Sequence, residues 1–193
     1  MKLGLVGSEM CIRDSYFDLP TGTACGMTDA KFPDFQAGAE RAYTAVAAAM
    51  AGANVVYEAA GMYGSLMGAC PESLLIDNDV LGACMRMTKG LKVDADSLSF
   101  DVINEVCMGG KGHYLGSDQT LSVMQTEYIY PNLGDRSSPN VWAEQGKPVL
   151  LNKAIAKKKE LLASYFPTHI SDEADLAIRA EFDIRLTREQ IGR

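Results

Sequence analysis

Apolar positions in the first half of the chain follow two alternating rhythms. Short continuous runs give way to longer stretches in which they recur every three or four residues. Residues 20–25 are a small-residue run that reads as the end of a buried strand, closed by Gly26. Residues 34–51 are alanine-rich and predict a helix, which Gly52 stops. Asn54-Val55-Val56-Tyr57-Glu58 predicts a short buried strand. Residues 59–69 hold too much glycine and too many small side chains for a helix and read as a loop. A second long helix is predicted over 71–89, with Pro71 in its first turn and Gly90 as its stop. Along it Ile76, Val80, Cys84, Met87 and Leu91 form one apolar stripe, expected to be buried, with the Met85/Met87 pair serving packing.

The two strand–loop–helix passages, 20–51 and 54–89, are the local signature of a parallel α/β fold. Two parallel strands cannot close a sheet on themselves and leave apolar edges unpaired. The expected architecture is therefore the last part of a larger barrel. Beyond residue 92 the pattern changes to helices and loops. Asp94 is expected to cap a helix to about residue 107, with Leu98, Val102 and Val106 on one face. Gly109-Gly110-Lys111-Gly112 makes a turn, and Ser117 or Asp118 caps a helix carrying Leu121, Met124 and Tyr128. Residues 131–148 are turn-rich, and two further helices are predicted over 149–165 and 171–186. Lys157, Lys158 and Lys159 read as a solvated face. Residues 1–15 contain a stretch, 7–15, that resembles a translated sequencing-adapter read; the alternative is a strand over 3–6 followed by a turn. The expected organisation is thus a non-native segment over 1–15, the end of a barrel with its loops over 16–148, and a helical extension over 149–193.

Composition narrows the function. With 193 residues, 47% hydrophobic and 22% charged, the chain can bury one sizeable core. A formal net charge of -7 argues against non-specific binding to nucleic acid or an anionic membrane and is compatible with a cationic substrate. No apolar run reaches the length of a membrane span. Cys11, Cys25, Cys70, Cys84 and Cys107 are scattered, with no CxxC pair and no zinc spacing, as expected of reduced thiols in a cytoplasm. His113 and His169 are the only histidines, so no metal site is expected.

Three segments combine glycine, aromatic and ionisable residues where loops should follow strands. In Gly26-Met27-Thr28-Asp29-Ala30-Lys31, Asp29 either faces a cation or serves the start of the following helix. In Tyr57-Glu58-Ala59-Ala60-Gly61-Met62-Tyr63, Glu58 ends an apolar strand, where an unpaired carboxylate is costly; it has a partner in the core or it faces a ligand. Tyr57 and Tyr63 offer ring faces to a cation, or simply pack with their hydroxyls satisfied. In Gly109-Gly110-Lys111-Gly112-His113-Tyr114-Leu115-Gly116 the phosphate-loop spacing is missing, which excludes nucleotide binding there. His113 is either a base or substrate ligand, or a hydrogen-bonding strut beside Tyr114. No nucleophile elbow supports hydrolysis, and no residue is singled out as catalytic.

Taken in order, Thr28-Asp29-Ala30-Lys31-Phe32-Pro33-Asp34, Ala51-Gly52, Ala59-Ala60-Gly61-Met62, Gly112-His113-Tyr114-Leu115-Gly116, Thr126-Glu127-Tyr128 and Asp135-Arg136 resemble successive blocks of the trimethylamine methyltransferase family. The resemblance covers residues 16–165 and fits about the C-terminal third of that family. It implies the C-terminal portion of a TIM-type (β/α)8 barrel followed by C-terminal helices, present as a fragment inactive alone. It also implies methyl transfer from a methylated amine to the Co(I) corrinoid of a partner protein, with no cofactor bound by this chain itself. Trimethylamine-specific members carry pyrrolysine close to Gly26 or Met27, where only standard residues stand here. The resemblance therefore points to the branch without pyrrolysine, which acts on quaternary amines such as glycine betaine, proline betaine or carnitine. Tyr57, Glu58, Tyr63, His113 and Tyr114 are the residues expected to bind the substrate, with Asp29 near the rim. A homo-oligomer is expected of the full-length protein. Two other classes stay open: a non-enzymatic cation-binding remnant of the same fold, and a helical interaction protein, which requires the 71–89 stripe to be exposed.

Overall fold

The computed structural model describes residues 16–166 and 169–191; the segment 1–15, singled out above, lies outside them. Two parallel strands, β1 (Gly22–Ala24) and β2 (Val55–Tyr57), pair in the register Gly22 to Val55, Thr23 to Val56 and Ala24 to Tyr57. Helix α1 (Phe35–Met50) connects them, starting at Asp34, whose carboxylate accepts the Ala37 amide at 3.1 Å. Gly52, at φ +84°, turns the chain out of α1 toward β2. A short antiparallel hairpin, β3 (Met62–Tyr63) and β4 (Gly68–Ala69), occupies what the sequence reads as loop. Helix α2 (Pro71–Thr88) follows and packs against α1. The βαβα order makes this a mixed α/β chain.

The core between α1, α2 and the strands is thin and built from small residues. Cys25, Ala45 and Cys84 are buried together, with Val46, Ala48, Val56, Val80 and Leu81 packed around them. Ala30, Ala37 and Tyr63 form a second cluster. The α2 stripe is only half as expected. Val80 and Cys84 pack inward, but Met85, Met87 and Leu91 are 71%, 61% and 82% exposed. The buried face of α2 is displaced toward Ser73 and Asp77, because α2 turns its polar positions to meet a charged residue of α1.

Beyond α2 the chain is more broken than its periodicity predicts. Asp94 caps a helix through a reciprocal capping box with Ser97, but Ser99 takes a left-handed φ of +55° and splits the element. The pieces are α3 (Ala95–Leu98) and α4 (Phe100–Cys107), with Val102 and Val106 half-buried and Leu98 exposed. Ser117 caps α5 (Asp118–Val123), which stops before Met124 and Tyr128. The turn-rich stretch contains one helix, α6 (Pro139–Glu144), followed by α7 (Leu150–Ser164). Helix α8 (Asp172–Glu181), capped by Ser171, ends short of residue 186. Two compact units divide the chain between Ala154 and Ile155. Among the described residues no helix is long and apolar enough to cross a membrane.

Candidate functional site

Because β1 and β2 are parallel, the loops that follow them leave from the same edge of the pair. Their approach is close. Gly26, at φ +80°, lies so near Ala59 that a Cβ there would collide with the Ala59 carbonyl. Glu58 turns the chain at once after β2 with a φ of +62°, a conformation that costs a side-chain-bearing residue energy. Its carboxylate is exposed and has no core partner among the described residues, and Tyr57 beside it is half-exposed.

The 28–30 segment is bound to its surroundings on both sides. Glu40 of α1 accepts the Thr28 hydroxyl at 2.5 Å and the Asp29 amide at 2.9 Å. The Thr28 hydroxyl, then Gln36, hold the Glu40 carboxyl below the usual carboxylate range. On the other side the hairpin turn docks on it. Gly64 donates to the Ala30 carbonyl at 3.0 Å, Ser65 donates to the Thr28 carbonyl at 3.2 Å, and the Ser65 hydroxyl donates to the exposed Asp29 carboxylate. Asp29 is thus fixed in place with its charge open to solvent.

Behind the loops lies a buried polar cluster that the sequence reading missed. Arg41 is only 1% exposed, and Asp77, on α2, is its ion-pair partner. Arg41 also donates through Nε to the Gly26 carbonyl at 2.9 Å and through Nη2 to the Met62 carbonyl at 2.5 Å. Asp77 accepts the Gly61 amide at 2.8 Å. Burial pushes the Asp77 carboxyl up, against the pull of the Gly61 amide and Arg41. Tyr63 belongs to this cluster: it is buried, the Arg41 guanidinium sits 4.5 Å from its ring centre, and its hydroxyl bonds Ser73 at 2.6 Å. Burial likewise holds the Tyr63 phenol above its usual value, so it stays neutral. A local signal for the cluster existed in the sequence: Arg41 interrupts the Ala37–Ala45 face of α1 at helical spacing, and Asp77 does the same between Ser73 and Cys84 of α2.

His113 and Tyr114 stand apart from this assembly. Among the described residues neither makes a hydrogen bond or ring contact with the loops after β1 and β2. His113 is exposed, and the Tyr114 hydroxyl lies 3.5 Å from the Cys107 sulfur, which raises the phenol. The structure thus brings Asp29, Tyr57, Glu58 and Tyr63 to one end of the β1–β2 pair and leaves His113 and Tyr114 on a separate loop.

The chemistry this end offers is charge and shape. Burial, together with Cys84 for Cys25, pushes the thiols of Cys25 and Cys84 up, so both remain neutral packing groups. Asp29 and Glu58 present solvent-facing carboxylates on the loops after β1 and β2, and Tyr57 ends β2 half-exposed with its ring lying toward Gly22. Carboxylates and an aromatic ring are groups suited to a cation. Among the described residues no group of three or more His, Cys, Asp or Glu side chains is placed to hold a metal ion. In the second unit an open recess of about 290 Å³ is lined by Leu162, Tyr165, Phe166 and Ile191, among others. Its carboxylate, Asp175, is already neutralised by Arg179 and Arg188, so it offers a cation nothing comparable.

A family model described as trimethylamine methyltransferase (MTTB) matches residues 9–190. Glycine betaine methyltransferase of Desulfitobacterium hafniense (strain Y51) is 32% identical over 165 residues, which cover 86% of this chain and 34% of that protein. Trimethylamine methyltransferase of Methanosarcina barkeri (strain Fusaro / DSM 804) is 31% identical over 189 residues, 92% of this chain and 37% of that protein. One from Methanosarcina mazei is 33% identical over 165 residues, 85% of this chain and 32% of its own length. The chain spans about a third of the length of these curated relatives.

Proposed function

The chain belongs to the trimethylamine methyltransferase family, and on that premise we propose that it is the C-terminal part of an enzyme that moves a methyl group from a quaternary or tertiary methylated amine, glycine betaine-like, to the Co(I) corrinoid of a partner protein. The observation that supports this most is the meeting of the loops after β1 and β2 at the carboxyl ends of adjacent parallel strands. That is where (β/α)8 barrels build their sites. In this reading β1–α1–β2–α2 are late units of such a barrel, and the helices from residue 149 follow it.

The proposed chemistry asks little acid–base work of the protein. A quaternary ammonium departs as a neutral tertiary amine, and a tertiary amine departs as a neutral secondary amine when it binds as its protonated ammonium, so no general acid is needed in the site. The site must hold a permanent cation, exclude water and aim one methyl group. Asp29 and Glu58 supply negative charge at the mouth of the site, and Tyr57 supplies a ring face. An aromatic face contributes about 0.5–2 kcal/mol to binding such a cation. Tyr63 backs the loops from below, and His113 and Tyr114, on a separate loop in this structure, would reach the amine only where that loop closes over it. Holding the amine in line supplies much of the rate. A dry site also favours a step in which charge is neutralised. The corrinoid, bound by the partner and not by this chain, supplies the methyl acceptor.

The test uses the full-length protein with glycine betaine and free cob(I)alamin. Appearance of the methylated corrinoid supports the transfer reaction. No transfer from a panel of quaternary amines, even with the cognate corrinoid protein, would sink it in favour of a cation-binding remnant; calorimetric titration with the same amines then measures that binding.

A further inference from the structure

The most deeply buried charged side chain described, Arg41, spends its donors on loop backbone. Its guanidinium reaches three segments at once: the Gly26 carbonyl at the start of the loop after β1, the Met62 carbonyl at the start of β3, and the Asp77 carboxylate on α2. Asp77 in turn takes the Gly61 amide on the same oxygen that faces Arg41. The pair therefore grips the main chain at residues 26, 61 and 62, on both sides of the place where Gly26 abuts Ala59. Packing alone does not need it. A buried ion pair is commonly replaceable by apolar side chains of similar volume at no loss of stability.

The geometry points to Arg41 as a positioning residue: with Asp77 it sets the spacing between the loop after β1 and the loop after β2, and acts on substrate only through them. The inference rests on the reading that these loops bind a methylated amine. Three features give it content. Two of the three acceptors are main-chain carbonyls outside the helices, Gly26 in the loop after β1 and Met62 at the start of β3, which neither helix needs for its own bonding. The planar fork fits three directions at once, whereas a lysine ammonium is a point charge on a flexible stem. The guanidinium also covers a face of Tyr63, locking the ring that backs the hairpin.

The experiment compares the full-length wild type with Arg41→Lys and with the double variant Arg41→Leu/Asp77→Leu. Hydrogen exchange is followed by mass spectrometry and glycine betaine affinity by titration. In both variants the amides of residues 26–31 and 59–63 are expected to exchange at least tenfold faster, with those of α1 and α2 unchanged. Dissociation constant and KM are expected to rise tenfold or more, with a smaller change in kcat. Arg41→Lys retains a charge opposite Asp77, so a failure of the double variant to fold leaves the comparison intact. Wild-type exchange at the loops would overturn the inference. So would helix protection falling in step with loop protection, since Arg41 would then be a core residue only. If the wild type binds no methylated amine, the functional reading falls, and the exchange data alone decide the positioning role.

Discussion

Residues 21–90 and residues 92–135 both present candidate binding groups, but they hold them by opposite means. In the first region the loops are fixed by bonds between residues far apart in sequence: Arg41 to Asp77, Glu40 to Thr28, Ser65 to Asp29. In the second, α3 and α5 are held by their own caps, α4 has no side-chain cap, and the apolar residues of all three are largely exposed. That region is tied to α2 at two polar points. Arg86 bonds Glu127, and the Asp79 carboxylate accepts the amides of Asn132, Leu133 and Gly134 at 2.8–3.1 Å. In the first region a buried polar pair bonds the loop backbone where the apolar core is thin. Local caps shape a helix but do not place it.

The largest expected effect breaks the first region at its centre. Arg41→Met leaves Asp77 buried and unpaired and is expected to cost about 3–5 kcal/mol in denaturant unfolding of the full-length protein. Arg41→Leu/Asp77→Leu should recover most of that. If Arg41→Met costs no more than a surface change, the contrast between the regions is wrong. Next is Gly26→Ala. Strain at a positive φ costs about 1–3 kcal/mol, and the added methyl would also push Ala59 away; unfolding midpoints read both effects together.

What the sequence made legible follows from the same division. The ends of α1 and α2 were readable because Asp34, Gly52, Pro71 and Gly90 act locally, on neighbours within one helical turn. Both strands were readable by position, as a small-residue run and an apolar run each closed by a turn residue, but β2 is not buried as expected: Val55 and Tyr57 are 58% and 50% exposed. The split at Ser99 was not, since serine carries no strong preference for a left-handed turn and the apolar spacing runs through the break. The hairpin of β3 and β4 was hidden because each strand is two residues long. In the candidate site, Asp29 and Glu58 could be picked out by position after a strand, and Tyr57 as the last residue of one. Arg41 and Asp77 could not, because each makes sense only when the other, 36 residues away, is in place. A charged residue on an apolar helix face was the one clue available.

A smaller pair of changes sharpens the comparison between tyrosines. Tyr63→Phe strands the hydroxyl of buried Ser73 and is expected to cost about 1–3 kcal/mol. Tyr114→Phe, on the exposed loop, should stay within about 0.5 kcal/mol. Equal thermal shifts would mean that Tyr114 is held as firmly as Tyr63. Acid tests the tether to α2. Partial burial alone would raise the Asp79 carboxyl, but the amides of Leu133, Asn132 and Gly134 outweigh it and hold it low. The folded form therefore takes up the proton less readily than the unfolded chain. Its contribution is complete above an unfolded value near pH 4 and is lost as pH falls through the lower folded value. Wild-type melting temperature should accordingly fall more steeply than that of Asp79→Asn between pH 4 and 2. Parallel curves would show that the tether carries no stability.

The smallest effect on stability carries the most functional information. His113 is exposed and makes no hydrogen bond among the described residues, so His113→Ala should shift unfolding by less than about 0.5 kcal/mol. If the later loop closes over a methylated amine, the same substitution should weaken glycine betaine binding by the full-length protein. Tyr114→Ala, which removes a ring face, should weaken it further, by roughly two- to thirtyfold for a contact of about 0.5–2 kcal/mol. Where the melting temperatures of both variants match the wild type, any loss belongs to the ligand. Wild-type affinity in both variants would confine the site to the loops after β1 and β2 and remove the later loop from it. A loss in both, with melting temperatures unchanged, would mean that the loosely held region completes a site whose rigid half is set by Arg41 and Asp77.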